Sequence, residues 1–286
     1  MRRRLAGIGE LAVAALAAEL ALDPKPGLVT PTRRGSHADM EHATFVASID
    51  ALRPYFADCA QLGAAGAGFA PLQARGLAAE RAMFAATGGI NTHKGAVFSL
   101  GLLAAAAGRL AARPAERSAG AQALGEVVRR CWGDDFATPP AAPSNGRRAL
   151  REHGVPGARE HAAAGFPVLF AVTLPALQAA LARGGGEREA GVHALLSTMA
   201  VLPDTNLVHR GGPAGLAWAQ RASEAFVAAG SVFAAGWEAR LAALCDEFER
   251  RWLSPGGAAD LLAAAWFAHA LPDELFAVAP HAALVA

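Results

Sequence analysis

The chain has 286 residues, of which 53% are hydrophobic and 18% are charged, and its formal net charge at pH 7 is +1. This composition excludes a disordered chain and gives no general electrostatic attraction to nucleic acid or to a membrane surface. The three cysteines, Cys59, Cys131 and Cys245, match no metal-binding or redox spacing. We therefore expect reduced thiols and a cytoplasmic, helix-rich globular protein.

Helical periodicity begins with the first residues and continues along the chain. Apolar side chains recur at helical spacing from Leu5 to Leu20, and Glu10 and Glu19 interrupt this run, which favours an amphipathic helix over a signal peptide. The same pattern predicts helices at residues 5–22, 37–57, 76–87, 92–111, 117–131, 144–153, 158–163, 167–182, 187–202, 213–229, 234–252 and 258–270. We expect one all-α domain over residues 1–286, with a minor seam near residues 137–143 and no apolar run suited to span a bilayer.

The polar loops between these helices carry the functional information, since polar loops at helix ends can converge on one cleft. The loop GGINTHKG contains Lys94, one of only two lysines in the chain. Asn91 is a suitable N-cap, and Lys94 falls in the first helical turn, where the helix dipole disfavours a cation unless an anion is bound. The loop therefore predicts a phosphate site, and a capped helix with an exposed lysine is the simpler alternative.

Two later loops repeat this arrangement. SPGGAAD has Ser254 as a potential cap and Asp260 in the first turn, where stabilisation of the helix dipole alone would also select a carboxylate. In HRGGP, Arg210 precedes a pair of glycines. Three Gly-Gly pairs at three predicted helix starts favour anion binding over coincidence.

Three further segments each allow a structural and a functional interpretation. The oxygen atoms of Asp204 and its neighbours suit Mg²⁺, although an Asx-turn accounts for the same residues. Ser36 and Asp39 near His37 could form a capping box, and a zinc site there lacks a third ligand at suitable spacing. In DPKPG two prolines bracket Lys25, which predicts either a rigid loop that presents a cation or a plain helix-terminating turn.

Taken in order, these loops resemble the triphosphoribosyl-dephospho-CoA synthase family. The matching segments are LDPKPGLVTPTRRGSHADMEHATFVAS, ATGGINTHKGAVFSLGLL, GARE, AGFPVLF, PDTNLVHRGG and SPGGAADLLAAAWF, which together extend over residues 20 to about 268. The chain departs from the family pattern at Asn145, where a histidine is common, and after Arg159, where Glu160 and His161 replace the usual Gly-Glu.

The resemblance implies an all-helical transferase. It would move the 5-triphosphoribosyl group of ATP, with Mg²⁺, to the 2′-hydroxyl of 3′-dephospho-CoA and release adenine. The product would pass to a holo-acyl-carrier-protein transferase for malonate decarboxylase or citrate lyase. We favour malonate decarboxylase because the chain carries no fused transferase domain.

The resemblance also implies which residues form the site. Lys25, Lys94 and Arg210 are expected to bind phosphates, and Asn91 and Thr92 to orient them. The full set of expected substrate-binding residues is Lys25, Gly27, Gly88, Gly89, Asn91, Thr92, Lys94, Gly95, Arg159, Thr205, Asn206, Arg210, Gly211, Gly212, Ser254, Gly256 and Gly257. The expected catalytic residues are Asp204, Asp260, His93 and His37, and the expected Mg²⁺ ligands are Asp39, Asp204 and Asp260.

Two alternatives stay open at this point. One is a Mg²⁺-dependent hydrolase of the ADP-ribose type, which would use water in place of dephospho-CoA. The other is a non-catalytic sensor that binds a nucleotide or CoA through the same helix ends.

Overall fold

The computed structural model describes residues 1–136 and 145–277, so the predicted seam at residues 137–143 lies outside the described residues. The α-helices in these ranges are α1 (Arg2–Ala21), α2 (His42–Ala65), α3 (Phe69–Ala86), α4 (Lys94–Ala112), α5 (Ala123–Trp132), α6 (Asn145–His153), α7 (Ala158–Ala163), α8 (Leu174–Ala182), α9 (Glu187–Val201), α10 (Thr205–Ala228), α11 (Trp237–Arg250) and α12 (Gly256–Ala270). A π-helical segment, Leu169–Thr173, leads into α8. Neither described range contains a strand, which confirms the predicted all-α fold.

The start of α2 differs from its prediction for a local reason. The helix begins at His42 because Glu41 and Thr44 form a capping box, in which the Glu41 N–H donates to Thr44 Oγ1 at 3.2 Å. The capping box expected from Ser36 and Asp39 is therefore wrong. α3 also starts earlier than predicted, at Phe69, because Pro71 lies in its first turn, where proline is tolerated.

The helix predicted to begin at residue 213 is the second half of a longer helix, α10. α10 already begins at Thr205, and it is interrupted at Gly212, whose φ of 63° and ψ of −170° are not helical. Pro213 follows the interruption, as expected for a residue that favours the first turn of a helix. The segment before the break carries the loop residues to which the sequence assigned a function.

α4 is the central helix, and it packs against α1, α2, α3, α5 and α12. An 18-residue window of this 19-residue helix has a mean hydropathy of 1.6, so by length and composition alone the helix could cross a membrane, and the expectation that no such run exists is wrong. However, 78% of that apolar segment is buried inside the protein, which is typical of a core helix. Leu100 and Leu103, for example, are fully buried.

Two glycines allow the backbones of α2 and α4 to touch where the helices cross. A Cβ atom at Gly63 of α2 would overlap the carbonyl oxygen of Ala105, and a Cβ at Gly108 of α4 would overlap the carbonyl oxygen of Ala60. Each helix therefore presents a glycine to a carbonyl group of the other. This reciprocal contact sets the position of α4, and with it the position of the loop that precedes α4.

We expect Gly63→Ala to lower the free energy of unfolding by about 1–3 kcal/mol, because the added methyl group overpacks the helix crossing. Gly7→Ala is a matched control, since no atom lies within 4 Å of a Cβ placed at Gly7 in α1. Alanine should stabilise that position by up to about 1 kcal/mol through its helix propensity. Urea denaturation of both variants measures the difference, and equal stability of the two would contradict the close crossing.

Candidate active site

A cavity of about 540 Å³ lies where the first turns of α4, α10 and α12 meet one face of α3 and the start of α7. Nine of the residues that the sequence assigned to the site line this cavity. They are Asn91, Lys94, Gly95, Arg159, Asp204, Thr205, Asn206, Gly257 and Asp260. These residues share one cavity wall, and both the assignment of this cavity as the substrate cleft and the roles of its residues stay predictions.

Asp204 holds the first turns of two helices together. Its Oδ1 accepts a hydrogen bond from the Asn206 N–H at 2.8 Å, as in an Asx-turn, and its Oδ2 accepts one from the Ala258 N–H of α12 at 3.0 Å. The side chain is 2% exposed. Burial raises the pKa of Asp204, and its backbone hydrogen bonds partly offset that effect. The structural and functional interpretations of this residue are therefore compatible.

Asp260 joins α12 to the start of α4. Its carboxylate accepts a hydrogen bond from the Ala96 N–H, and a Cβ atom at Gly95 would overlap its Oδ2. Burial, followed by the negative charges of Asp204 and Glu19, raises the pKa of Asp260 well above its usual range. Asp260 therefore holds a proton more readily than an ordinary carboxylate does, and its conjugate base is a stronger base.

Lys94 has an anionic partner at the cavity wall. Its Nζ lies 3.2 Å from Oε2 of Glu80 on α3, and its backbone N–H donates to Asn91 Oδ1 at 3.3 Å. Asn91 therefore bonds to the first residue of α4, but the N-cap position is His93, so the prediction of Asn91 as N-cap is wrong by two residues. The anion that the sequence analysis required beside Lys94 is, in this structure, the Glu80 carboxylate.

The opposite part of the cavity is apolar and aromatic. Phe69, Phe98 and Phe166 line it together with Leu72. The guanidinium of Arg159 lies 5.8 Å from the ring centre of Phe69, and Arg159 Nη2 donates to the Asp135 carbonyl oxygen at 3.1 Å. The cavity thus has a charged end built from helix starts and an aromatic end that suits a planar ring.

Lys25 differs from its expected position as a cation presented by a rigid loop. It is 1% exposed, and its Nζ donates to Oε1 of Glu19 at 2.5 Å and to the carbonyl oxygen of Glu19 at 2.6 Å. It does not line the cavity. The two prolines of DPKPG orient this lysine inward, where its charge is paired with a buried carboxylate.

His93 lies behind the cavity wall. Its Nδ1 is 2.7 Å from Ser48 Oγ, which also accepts a hydrogen bond from Thr92 Oγ1 at 2.8 Å. Its Nε2 is buried and has no hydrogen-bond partner among the described residues. Burial, followed by the charge of Lys25, lowers the pKa of His93 to about 3. Thr92 and His93 both bond to Ser48 of α2 and do not line the cavity, so their expected contact with substrate stays a prediction.

His37 belongs to a second polar cluster, outside the cavity. Arg210 Nη2 lies 3.1 Å from His37 Nδ1, and His37 Nε2 lies 3.0 Å from Ser254 Oγ. Arginine can only donate, so Nδ1 accepts and Nε2 carries the proton that it donates to Ser254. Burial, followed by the charge of Arg210, lowers the pKa of His37 to about 4. Both ring nitrogens are engaged and His37 does not line this cavity, so its expected role as acid or base stays a prediction.

Arg210 connects this second cluster to the neighbouring loops. Its Nη1 donates to the Ser36 carbonyl oxygen at 2.6 Å and lies 3.4 Å from the Trp252 carbonyl oxygen. The guanidinium thus fixes two segments, the Ser36–His37 loop and the turn at Trp252, to α10, and its expected role as a phosphate ligand stays a prediction. Asp39 is exposed near this cluster and does not line the cavity with Asp204 and Asp260.

The predicted Gly-Gly pairs have three different structural roles. Gly88 and Gly89, with φ of 67° and 91°, end α3 and do not start α4. Gly211 and Gly212 break α10, and only Gly256 and Gly257 start a helix. Of these glycines Gly257 alone lines the cavity, where an added Cβ would lie 3.0 Å from Asp204 Cγ. Gly27 is also outside, since its added Cβ would overlap the Leu253 carbonyl oxygen.

Several cavity residues were not identified from the sequence. They are Glu80, Gln73 and Phe69 on α3, Arg147 on α6, and His161 on α7, whose pKa is lowered by burial. α3 is an Ala-rich helix without a local motif, so only its position beside α4 identifies its polar face. Within the described residues, no group of three or more His, Cys, Asp or Glu side chains is arranged to hold a metal ion.

Comparison with known proteins identifies a family. The chain matches the family described as ATP:dephospho-CoA triphosphoribosyl transferase over residues 5–276. A relative from Albidiferax ferrireducens, named "Probable 2-(5''-triphosphoribosyl)-3'-dephosphocoenzyme-A synthase", is 42% identical over 279 residues, which are 94% of this chain and 91% of the relative. Relatives of the same type from Vibrio cholerae and Pectobacterium atrosepticum are 40% identical over 276 residues (92% of this chain, 88% of the relative) and 38% identical over 282 residues (96% and 92%). No solved structure matches the chain.

The buried His93 makes stability depend on pH. An unfolded histidine takes up a proton as the pH falls below about 6.5, whereas folded His93 stays neutral down to a pKa of about 3, so its effect destabilises the fold increasingly over that interval. We expect His93→Gln to lose less stability than the wild type between pH 7 and pH 5, by up to about 2 kcal/mol. Urea denaturation at both pH values measures this difference. Parallel pH profiles of the two proteins would show that His93 is not the titrating group.

Proposed function

Because the chain belongs to the ATP:dephospho-CoA triphosphoribosyl transferase family, we propose that the cavity transfers the 5-triphosphoribosyl group of ATP to the 2′-hydroxyl of 3′-dephospho-CoA and releases adenine. The observation that carries this assignment is the pair of desolvated carboxylates, Asp204 and Asp260, which lie among the starts of α4, α10 and α12. A glycosyl transfer needs such groups beside the carbon at which positive charge develops.

The triphosphate of ATP is placed at the charged end of the cavity. The first turn of α4 supplies the positive end of the helix dipole, and Lys94 supplies an ammonium group. Asn91 and Asn206 line the same region and can donate amide N–H groups to phosphate oxygens. Adenine is placed at the aromatic end, where Phe69 and Phe98 provide flat apolar surface.

The two carboxylates differ enough in environment to take different roles. In the transfer, the bond between C1′ and the adenine nitrogen breaks, its electron pair leaves with adenine, and the acceptor O2′ bonds to C1′. Asp260, whose pKa is raised well above its usual range, accepts the proton of the 2′-hydroxyl as general base. Asp204 is fixed by backbone N–H groups, so its charge stays oriented and stabilises the cationic transition state.

The size of the cavity determines how the second substrate lies. Its volume of about 540 Å³ falls within the range of roughly 300–1,000 Å³ that is typical of a single small-molecule pocket. It is therefore large enough for ATP and for the reacting ribose of dephospho-CoA, but not for both complete substrates. We place the pantetheine arm outside the cavity mouth.

Mg²⁺ fits the donor atoms present only as a companion of ATP. Asp204 provides one carboxylate, Asp260 is assigned to the proton transfer and is not counted as a ligand, and no three-ligand cluster exists among the described residues. This donor set suits an ion that takes its remaining ligands from substrate phosphates and water. Bound in that way, Mg²⁺ would neutralise part of the charge of the triphosphate. Asp39, which is exposed and outside the cavity, is not included in this set.

The product is the proposed precursor of an acyl-carrier-protein prosthetic group. A holo-acyl-carrier-protein transferase would consume it, and malonate decarboxylase and citrate lyase are the two candidate destinations. A cytoplasmic location, which the substrates would require, likewise stays a prediction.

The assignment of Asp260 as base predicts that Asp260→Asn lowers the rate of adenine release by about 10²–10⁴-fold, because the amide cannot accept the proton. Chromatography of reactions that contain ATP and dephospho-CoA measures adenine and the transfer product together. Asp39→Asn is the matched control, since this exposed carboxylate lies outside the cavity and its loss should leave turnover unchanged.

The same experiment separates the proposed activity from the alternatives. Turnover of Asp260→Asn near that of the wild type would remove Asp260 from the chemistry. Release of free triphosphoribose by the wild type would indicate a hydrolase. Saturable ATP binding without adenine release would indicate a sensor.

A second prediction concerns Mg²⁺ and Asp204. We expect Asp204→Asn to lower turnover and to raise the Mg²⁺ concentration needed for half-maximal activity, because one carboxylate ligand is lost. Activity is measured in a Mg²⁺ titration at constant ATP, and thermal unfolding monitors the fold. An unchanged Mg²⁺ requirement together with a lower melting temperature would instead restrict Asp204 to holding α10 and α12 together.

A further inference from the structure

We propose that Glu80 is an internal competitor of the phosphate ligand. Its carboxylate pairs with Lys94 when the cavity is empty, and a phosphate group must displace it in order to bind. This inference rests on the proposed function, since it takes the incoming anion to be the triphosphate of ATP.

The pair connects two helices across the cavity wall. Glu80 lies on α3 and Lys94 is the first residue of α4, so the loop between these helices brings the two side chains together. Glu80 Oε2 and Lys94 Nζ are 3.2 Å apart, and both residues line the cavity. The Glu80 side chain is 21% exposed and the Lys94 side chain 46% exposed. The ammonium is therefore accessible from the cavity while its charge is already compensated.

The position of Lys94 explains why a counterion is needed. The start of α4 carries the positive end of the helix dipole, and an unpaired ammonium there is unfavourable. Glu80 offsets this repulsion in the ligand-free protein. A phosphate at the same place would provide the same compensation, so Glu80 and the ligand have equivalent electrostatic roles and compete for one cation.

The other carboxylates of the cavity make this competition stronger. Glu160, Asp204 and Asp260 also line it, so a polyphosphate enters a region that is already acidic. Glu160 and Asp204 are engaged by backbone N–H groups, with Gly157 N 2.7 Å from Glu160 Oε2 and Asn206 N 2.8 Å from Asp204 Oδ1. Glu80 is instead engaged by the cation that the ligand requires. Its negative charge therefore opposes binding both by repulsion and by occupying Lys94.

This arrangement distinguishes ligands by whether one of their phosphate groups contacts Lys94. A ligand whose phosphate contacts Lys94 must separate the ion pair, and it gains the full charge of Lys94 in return. A nucleoside without phosphates leaves the pair intact. Glu80 therefore reduces the affinity for every phosphate-bearing ligand that reaches α4, and it leaves base recognition unaffected.

The test is the equilibrium binding of ATP, inorganic tripolyphosphate and adenosine to the full chain, at a fixed Mg²⁺ concentration and without dephospho-CoA. Calorimetry is carried out on the wild type, Glu80→Gln, Lys94→Met and the double variant Glu80→Gln/Lys94→Met. Glu224→Gln is the matched control, because it removes the same charge from an exposed position in the second half of α10. Thermal unfolding shows that each variant is folded.

We expect Glu80→Gln to bind ATP and tripolyphosphate roughly fivefold more tightly than the wild type, the size of a strong exposed ion pair. Adenosine binding should not change, and neither should ATP binding by Glu224→Gln. In the Lys94→Met background, the gain from Glu80→Gln should largely disappear, because the cation for which Glu80 competes is gone. A purely structural role of Glu80 would weaken binding or lower stability, and it would not produce a gain.

Two other results overturn the proposal, and they can be told apart. If ATP binds to the wild type but Glu80→Gln binds it equally or less tightly, the competition is refuted and the cavity assignment stands. A loss of affinity that increases as Mg²⁺ is lowered would assign Glu80 to the metal. If neither ATP nor tripolyphosphate binds to any variant, the proposed function of the cavity fails together with the role of Glu80.

Discussion

The site depends on one buried carboxylate that bonds to the backbones of two helices. Asp204 accepts the N–H of Asn206 at the start of α10 and the N–H of Ala258 in the first turn of α12, so each of its oxygens satisfies a different helix. These amides have no partner within their own helices, and a buried unpaired N–H would cost roughly 1–3 kcal/mol. Asp260, two residues beyond Ala258 on α12, likewise accepts a backbone N–H, that of Ala96 in α4. The polar end of the cavity is thus held by the same groups that give it its charge.

Sequence reasoning identified the residues whose role is local. Asn91, Lys94, Asp204 and Asp260 lie at or near helix starts, where capping and the helix dipole restrict the choice of residue, so their types are informative without a structure. The all-α fold was predictable for a related reason, because helical periodicity is a short-range signal. The residues whose surroundings were not predicted depend on the direction in which a side chain points or on a partner from another part of the chain. Nothing in DPKPG indicates that Lys25 is directed inward to Glu19, and a glutamate within an Ala-rich helix, such as Glu80, has no local signature at all.

The two polar clusters show how similar loop chemistry leads to different outcomes. Around Arg210, arginine donors meet carbonyl oxygens and a neutral histidine, so every strong donor is satisfied and the cluster fixes loops. Around Asp260, the Asp204 and Asp260 carboxylates line the same cavity, and the negative charge of Asp204 helps to raise the pKa of Asp260, so like charges are held close together. A functional site is distinguished by such uncompensated charge more than by its residue types. From residue types alone, both clusters were predicted to lie in one cleft. The structure shows that only the cluster around Asp260 lines the cavity.

The apolar character of α4 has a consequence for the order of folding. A 19-residue segment with the hydropathy of a membrane span is hazardous while it is exposed, because it is prone to aggregation. Its principal partner, α2, precedes it in the chain and carries the Gly63 surface onto which it packs. During synthesis from the N-terminus, that surface has already left the ribosome when α4 emerges. The chain order therefore limits the time for which this long apolar helix is without a partner.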